Sequence, residues 1–284
     1  MLNWRGGLRN LCERTGRADM MDSPQRIKDA MKAFYAKNVR YHELIDRHEQ
    51  TGATYDGMVK ELLDRAAPPG RRPRLVDVAL GTGYYVRQAK ASGAFACGVD
   101  ISLHACRLAR GKDEVLPVCL GDAESLPFRD EVFDVAVCLQ LLEHTPFPEK
   151  VVGEIARVLR KGGYLFLSAP NMLGSTLFSR TLRAVKERFS RATKRLIFLP
   201  ADTLARWEGE VTPQEVADLD TCNRVTVFHA RNLLHGHGFR IEHLDTLRHP
   251  KKYRPARYML ERALQHLPVL RYTGVNFKII ARKP

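Results

Sequence analysis

Apolar and polar positions alternate in blocks between residues 74 and 168, and these blocks predict strands and helices in turn. The apolar runs that predict buried strands lie at 75–80, 95–100, 115–120, 132–139 and 164–168. The segments with helical spacing are 84–91, 103–110 and 148–159, and the Lys-Gly-Gly sequence at 161–163 is expected to end the last of them. Strands that alternate with helices form a parallel sheet covered on both faces. The pattern therefore predicts an α/β fold with a doubly wound sheet.

The flanking segments predict further elements around this core. An amphipathic helix is expected at 24–47, a basic amphipathic helix at 175–199, a helix at 230–237, and closing strands at 239–244 and 272–280 that pair antiparallel at the edge. We expect five regions: an N-terminal extension at 1–23, a helical lid at 24–73, a core at 74–170, a basic helical insertion at 171–228, and a closing helix and strands at 229–284.

Composition narrows the class of protein. The 284 residues are 44% hydrophobic and 27% charged, which is ordinary for a globular chain, and no apolar run approaches the roughly 20 residues that span a bilayer. The first twenty residues lack the apolar stretch of about 7–15 residues that a secretory signal needs, so we expect a cytoplasmic location. The six cysteines form no CxxC pair, and they predict neither a zinc site nor a disulfide framework.

The net charge of +14 is concentrated in two stretches. Residues 171–208 carry eight basic and three acidic residues, and residues 248–284 carry ten basic residues and one acidic residue. The rest of the chain carries equal numbers of basic and acidic residues. The excess therefore belongs to particular surfaces, and such surfaces attract anions.

The first candidate binding motif is the sequence VDVALGTG at 76–83, which turns from a predicted strand into a predicted helix. Gly81 and Gly83 let the backbone approach a ligand, and Asp100, at the end of the next strand, can accept hydrogen bonds from ribose hydroxyls. A nicotinamide enzyme would use similar physics, but its GxGxxG fingerprint requires a third glycine, and Val86 stands there. A turn that merely joins a strand to a helix remains the alternative.

A second motif, GDAESLPF at 121–128, follows the third predicted strand. The Asp122 carboxylate can accept from the exocyclic amine of an adenine, and the Ala123 amide can donate to a ring nitrogen. The alternative is a surface loop closed by Leu-Pro-Phe.

Five motifs in this order, VDVALGTG, GVDIS, GDAESLPF, FDVAVCLQLLEHT and IARVLRKGGYLFLSAPN, carry a resemblance that covers about 41–171. In these motifs the chain resembles the class I S-adenosylmethionine-dependent methyltransferases that modify quinones, sugars and secondary metabolites. The resemblance implies a Rossmann-like seven-stranded sheet, S-adenosylmethionine as cofactor, S-adenosylhomocysteine as product, and methyl transfer to a nucleophile. The cofactor-binding residues that it implies are Ala79, Gly81, Gly83, Asp100, Ile101, Asp122, Ala123, Leu139 and Tyr41. The family usually has glycine where Ala79 stands, a mild change unless the position requires a positive φ.

The resemblance also places residues after the fourth strand beside both cofactor and acceptor. His144 is the candidate general base there, because an imidazole can take the proton of an attacking hydroxyl. The alternative is a structural Glu-His pair beneath the cleft. Some quinone-modifying relatives hold a divalent ion with an acid where Gln140 stands, so we expect no metal. Tyr35 and Tyr41 resemble a lid, with Tyr41 over the methionine part of the cofactor, although aromatic residues at this spacing equally pack a helix onto the core.

Three functions remain open at this point. The first is a methyltransferase for a small-molecule or lipid-linked acceptor, and the absence of an Asn/Asp-Pro-Pro-Tyr motif and of a Pro-Cys nucleophile favours oxygen or an activated carbon over a nucleobase. The second is an RNA or protein methyltransferase that uses the basic stretches, although no RNA-binding module accompanies them. The third is a non-catalytic cofactor-binding scaffold. The helix at 175–199 is either a solvated helix packed on the core or a peripheral membrane contact for an anionic or lipid-linked acceptor.

Overall fold

The computed structural model describes four continuous stretches of the chain, 57–67, 69–171, 225–247 and 276–284. Outside them it describes Lys28, Asp29, Lys32, Tyr35, Tyr55, Tyr272 and Gly274. The predicted helix at 175–199 and most of the predicted lid, Tyr41 included, lie outside the described residues.

Seven strands form one sheet in the order β3-β2-β1-β4-β5-β7-β6. Their bounds are Arg74–Val78 (β1), Phe95–Asp100 (β2), Val118–Leu120 (β3), Phe133–Leu139 (β4), Leu159–Pro170 (β5), Arg240–Leu247 (β6) and Asn276–Arg282 (β7). Strands β1 to β5 are parallel, whereas β7 runs antiparallel to both of its neighbours, β5 and β6. The doubly wound α/β fold with an antiparallel closing pair is therefore confirmed.

Helices cover both faces of this sheet. Their bounds are Met58–Ala66 (α1), Tyr84–Ala91 (α2), Leu103–Lys112 (α3), Pro148–Val158 (α4) and Val227–Gly236 (α5). One apolar layer joins the sheet to α4 and α5, and a second joins its other face to α1, α2 and α3. Within the described ranges, no helix is long and apolar enough to cross a membrane.

The structure corrects the predicted end of the helix that precedes β5. Helix α4 ends at Val158, and the Lys-Gly-Gly sequence at 161–163 lies inside β5 instead of capping the helix. Leu159 is fully buried and pairs with Phe133, so the chain enters the sheet immediately after the helix. Gly162 has a φ of 78° and donates its N–H to the Lys283 carbonyl at 2.8 Å. The glycines of this sequence were expected to end helix α4. The positive φ of Gly162 instead belongs to an irregular point within strand β5.

The structure also corrects one predicted helix start. Helix α5 begins at Val227, three residues before the predicted start at 230. The Thr226 side chain accepts a hydrogen bond from the His229 N–H at 3.2 Å, as an N-cap residue does. The capping threonine, and not the first residue of the apolar run, therefore sets where this helix begins.

The carboxyl ends of the parallel strands form one edge of the sheet. Because β6 is parallel to β5, its last residue, Leu247, reaches the same edge, and the register aligns Leu247 with Asn276 and Asn276 with Pro170. Asn171 follows β5 and accepts a hydrogen bond from the Val227 N–H at the start of α5. The stretches 172–224 and 248–271 are therefore both connected to the chain at this edge.

Candidate functional site

The turn between β1 and α2 has an unusual backbone. Ala79, Gly81 and Gly83 all have positive φ, at 68°, 54° and 77°. A Cβ on Gly83 would lie 2.9 Å from Leu116 Cδ2 and 3.0 Å from Ala109 Cβ, so this position also requires glycine for space. Alanine is unfavourable at a position that requires a positive φ, and Ala79 stands at such a position. The strain costs about 1 kcal/mol.

Asp100 connects this turn to the start of the next helix. One carboxylate oxygen accepts from the Gly81 N–H at 3.0 Å, and the other accepts from the Ser102 N–H at 2.8 Å. Burial raises the pKa of Asp100 to about 6, and the hydrogen bonds from backbone N–H groups oppose that rise. The carboxylate is thus positioned by two loops at the edge of the sheet, where a ligand hydroxyl can reach it.

A cavity of about 540 Å³ opens between the carboxyl ends of β2 and β3. Its lining includes Ile101, the exposed side chains of Leu103 and Leu120, and Asp122. The neighbouring Gly121 has no room for a Cβ, which would lie 2.9 Å from Val99 Cγ1. Apolar side chains beside a carboxylate suit a flat heterocycle that carries an amine, and Lys32, His104 and Arg107 also line this cavity.

The loop after β3 is bound to the N-terminal part of the chain. Lys28 Nζ lies 2.6 Å from Asp122 Oδ2 and 2.6 Å from Glu124 Oε2. Burial lowers the pKa of Lys28, but hydrogen bonds to the two carboxylates outweigh this effect, so the pKa is raised overall. Neither Lys28 nor Glu124 was predicted as a site residue. In the sequence, Lys28, Lys32 and Tyr35 are spaced to share one helical face, but this spacing does not indicate which residues that face contacts.

The residues that follow β4 lie at the same edge of the sheet, beside the end of β1. Gln140 has a φ of 53° and donates its N–H to the Ser168 carbonyl at 2.8 Å. His144 follows in the next turn, with its Nε2 3.6 Å from Glu143 Oε1 and its side chain 13% exposed. The structure therefore places the predicted base in a largely enclosed position beside a buried carboxylate.

Tyr55 was also not among the site residues predicted from the sequence. Its hydroxyl lies 2.6 Å from Ser168 Oγ, and Ser168 Oγ donates to the Phe277 carbonyl at 2.7 Å. Because a serine hydroxyl has one proton, Tyr55 is the donor to Ser168. Burial raises the pKa of Tyr55, and the nearby Glu143 acts in the same direction. Tyr55 thus packs beside the part of the edge that carries Glu143.

The predicted site residues fall into two neighbouring groups on the sheet edge. The group at the ends of β1, β2 and β3 contains Ala79, Gly81, Gly83, Asp100, Ile101, Asp122 and Ala123, and the group at the end of β4 contains Leu139 and His144. Tyr41 lies outside the described residues. Among the described residues, no group of three or more His, Cys, Asp and Glu side chains is arranged to hold a metal ion.

The chain is similar to known methyltransferases. Residues 76–167 match the family model described as "Methyltransferase domain". The chain is 31% identical to a ubiquinone biosynthesis O-methyltransferase from Hahella chejuensis over 175 residues, which cover 56% of this chain and 67% of that protein. It is 33% identical to a demethylmenaquinone methyltransferase from Mycolicibacterium paratuberculosis over 128 residues, covering 44% of this chain and 54% of that protein. The chain thus spans about half to two thirds of these curated relatives.

A solved structure shares the fold. The S-adenosylmethionine-dependent methyltransferase from Mesorhizobium loti has a TM-score of 0.55 and 20% sequence identity, and the match covers 82% of this chain and 99% of that one. At this level of identity the likeness concerns the fold alone.

Proposed function

This chain belongs to the class I S-adenosylmethionine-dependent methyltransferase family, and we propose that it transfers a methyl group to an oxygen atom of a small-molecule or lipid-linked acceptor. The observation that carries the proposal is the arrangement of the sheet edge. Asp122 lines a cavity at the ends of β2 and β3, Asp100 ends β2 immediately before the lining residue Ile101, and His144 lies in the turn after β4. Fold alone leaves the reaction open, so the proposal rests on these side chains.

The residues of the edge fit the cofactor of this family. The cavity between Leu103 and Leu120 would take the adenine, with Asp122 accepting from its amine. Asp100 would accept from the ribose hydroxyls. The tight turn through Gly81 and Gly83 would let the backbone approach the methionine part of the cofactor.

The bound cofactor supplies an electrophilic methyl group on a sulfonium. An acceptor hydroxyl held beside that methyl group would be methylated at its oxygen and would give up its proton, and the cofactor would leave as the neutral thioether. His144 takes the hydroxyl proton, and Glu143, 3.6 Å from Nε2, stabilises the resulting imidazolium. Orientation of the two reactants supplies the remaining acceleration.

Two observations support an anionic or lipid-linked acceptor. The stretches 172–224 and 248–271 connect to the chain at the cofactor edge, and they carry more than half of the excess positive charge. The two curated relatives are named for ubiquinone biosynthesis and for demethylmenaquinone. A quinol carrying an apolar tail combines a nucleophilic hydroxyl with a need for contact at a membrane surface.

The first test is direct binding and turnover. We expect S-adenosylhomocysteine to bind in a titration calorimeter and NAD⁺ to give no heat under the same conditions. Transfer of radiolabelled methyl groups should then appear in the lipid fraction of a cell extract. Labelling confined to RNA or protein would overturn the acceptor class, and cofactor binding without any labelling would favour a scaffold.

The second test concerns the basic stretch at 175–199. Wild-type protein should sediment with anionic vesicles at low salt, and added salt should weaken the binding because surface charges are screened over about 10 Å at 0.1 M. Arg183→Glu plus Arg191→Glu should reduce sedimentation and leave cofactor binding intact. Lys60→Glu plus Arg129→Glu, which makes the same charge change at exposed positions elsewhere, is the control. Failure of the wild type to bind anionic vesicles would exclude the membrane contact.

A further inference from the structure

The two ion pairs of Lys28 are unequal in their surroundings. The Glu124 side chain is 4% exposed, whereas that of Asp122 is 32% exposed. Glu124 also accepts from Thr145 Oγ1 at 2.6 Å and from the Phe147 N–H at 3.3 Å. If the Lys28 ammonium left Glu124, a buried carboxylate would lose its counter-ion, which is costly. Asp122 is more exposed, so water can solvate its carboxylate. Lys28 is therefore anchored at Glu124 and held more weakly at Asp122.

Asp122 also lines the cavity at the ends of β2 and β3, together with Lys32, one helical turn after Lys28. Its other carboxylate oxygen accepts from the Glu124 N–H at 2.9 Å. Oδ2, the oxygen that does not accept this backbone N–H, is bound by the Lys28 ammonium at 2.6 Å. An ammonium and an adenine amine are both hydrogen-bond donors, and the ammonium at 2.6 Å takes up part of the acceptor capacity of Oδ2 that the amine would use.

We propose that Lys28 is a gate for the adenine end of the cofactor: it occupies Asp122 in the free protein, yields that oxygen to the adenine amine, and remains bound to Glu124. The proposal rests on the proposed function, since it assumes an adenine in this cavity. It makes Lys28 a determinant of cofactor affinity, because each binding event must break one charge-assisted hydrogen bond.

The test is the affinity of S-adenosylhomocysteine measured by calorimetry. Lys28→Met keeps the length of the side chain and removes the competing donor, so we expect binding to tighten by about 3- to 10-fold. Lys90→Met is the matched control, because Lys90 also lies 2.6 Å from an aspartate, Asp113, on an exposed surface outside the cavity. Its affinity should equal that of the wild type.

Two further variants separate competition from structural damage. Lys28→Met plus Glu124→Gln removes the buried charge that Lys28 neutralises, and it should bind as tightly as Lys28→Met with a normal melting curve. In an Asp122→Ala background, Lys28→Met should change the affinity less than about 2-fold, because the contested oxygen is absent.

The outcomes distinguish the gate from the proposed function. Weaker or unchanged binding by both Lys28→Met and the double variant would overturn the gate, as would tightening that persists in the Asp122→Ala background. Absence of S-adenosylhomocysteine binding in the wild type and all variants would instead overturn the proposed cofactor site.

Discussion

Replacement of His144 by glutamine is expected to lower kcat by on the order of 100-fold and to leave the affinity for S-adenosylhomocysteine nearly unchanged. Glutamine retains a polar side chain of similar size but cannot take a proton from the acceptor. The His144 ring lies beside the buried Glu143 and keeps 13% of its surface exposed, and the proposed role as base requires both this exposure and a carboxylate near the positive charge. Steady-state turnover and calorimetry on the same preparations measure the two effects.

The control for His144 is His235→Gln, an exposed histidine on α5, which should retain full turnover. The pH profile adds a readout that a structural role would not change: a limb in kcat at acid pH should be present in the wild type and absent in the variant. Turnover within a few-fold of the wild type would show that the acceptor ionises without His144, and that proximity supplies most of the acceleration.

The central part of the fold was predictable because its signals are local. Helix α2 and strand β2 have the bounds that the apolar pattern predicted. Once these strands were recognised as parallel, the meeting of Asp100 and Asp122 at one edge followed from topology, because carboxyl ends of parallel strands share an edge. The apolar pattern of each segment, together with the rule that parallel strands end at one edge, was therefore enough to predict where the candidate cofactor site lies.

The remaining parts depend on contacts between residues far apart in the chain. Lys28 and Asp122 are separated by 94 positions, and Tyr55 and Ser168 by 113. A lysine in an amphipathic helix predicts only a solvated face, so its buried partner at Glu124 could not be inferred from local pattern. The Gly-Gly sequence before Tyr164 similarly has two meanings, helix end or strand irregularity, and only the pairing with Lys283 decides between them.

Removal of the Asp100 carboxylate is expected to weaken S-adenosylhomocysteine binding by about 1.5–3 kcal/mol, roughly 10- to 150-fold, because charge-assisted hydrogen bonds to the ribose are lost. Asp100→Ala gives the full effect. Asp100 also accepts from the Gly81 and Ser102 N–H groups, so Asp100→Asn serves as a milder variant that retains one acceptor oxygen. Asp113→Ala, which removes a carboxylate from the surface pair with Lys90, is the control. Unchanged affinity in Asp100→Ala with a normal circular dichroism spectrum would remove Asp100 from the site.

The pH dependence of binding provides an independent check on the same carboxylate. Because burial raises the pKa of Asp100 to about 6, its charge is lost as the pH falls through that value, and cofactor affinity should fall with it. The sign for stability is opposite: a carboxyl group whose pKa is raised from 3.8 contributes stability fully below 3.8 and loses it as the pH rises through about 6. Protonation of Asp100 therefore weakens binding without weakening the fold. Calorimetry between pH 5 and pH 7 should show a break near 6 in the wild type and a flat profile in Asp100→Asn, and a break of equal size in both would assign the effect to another group.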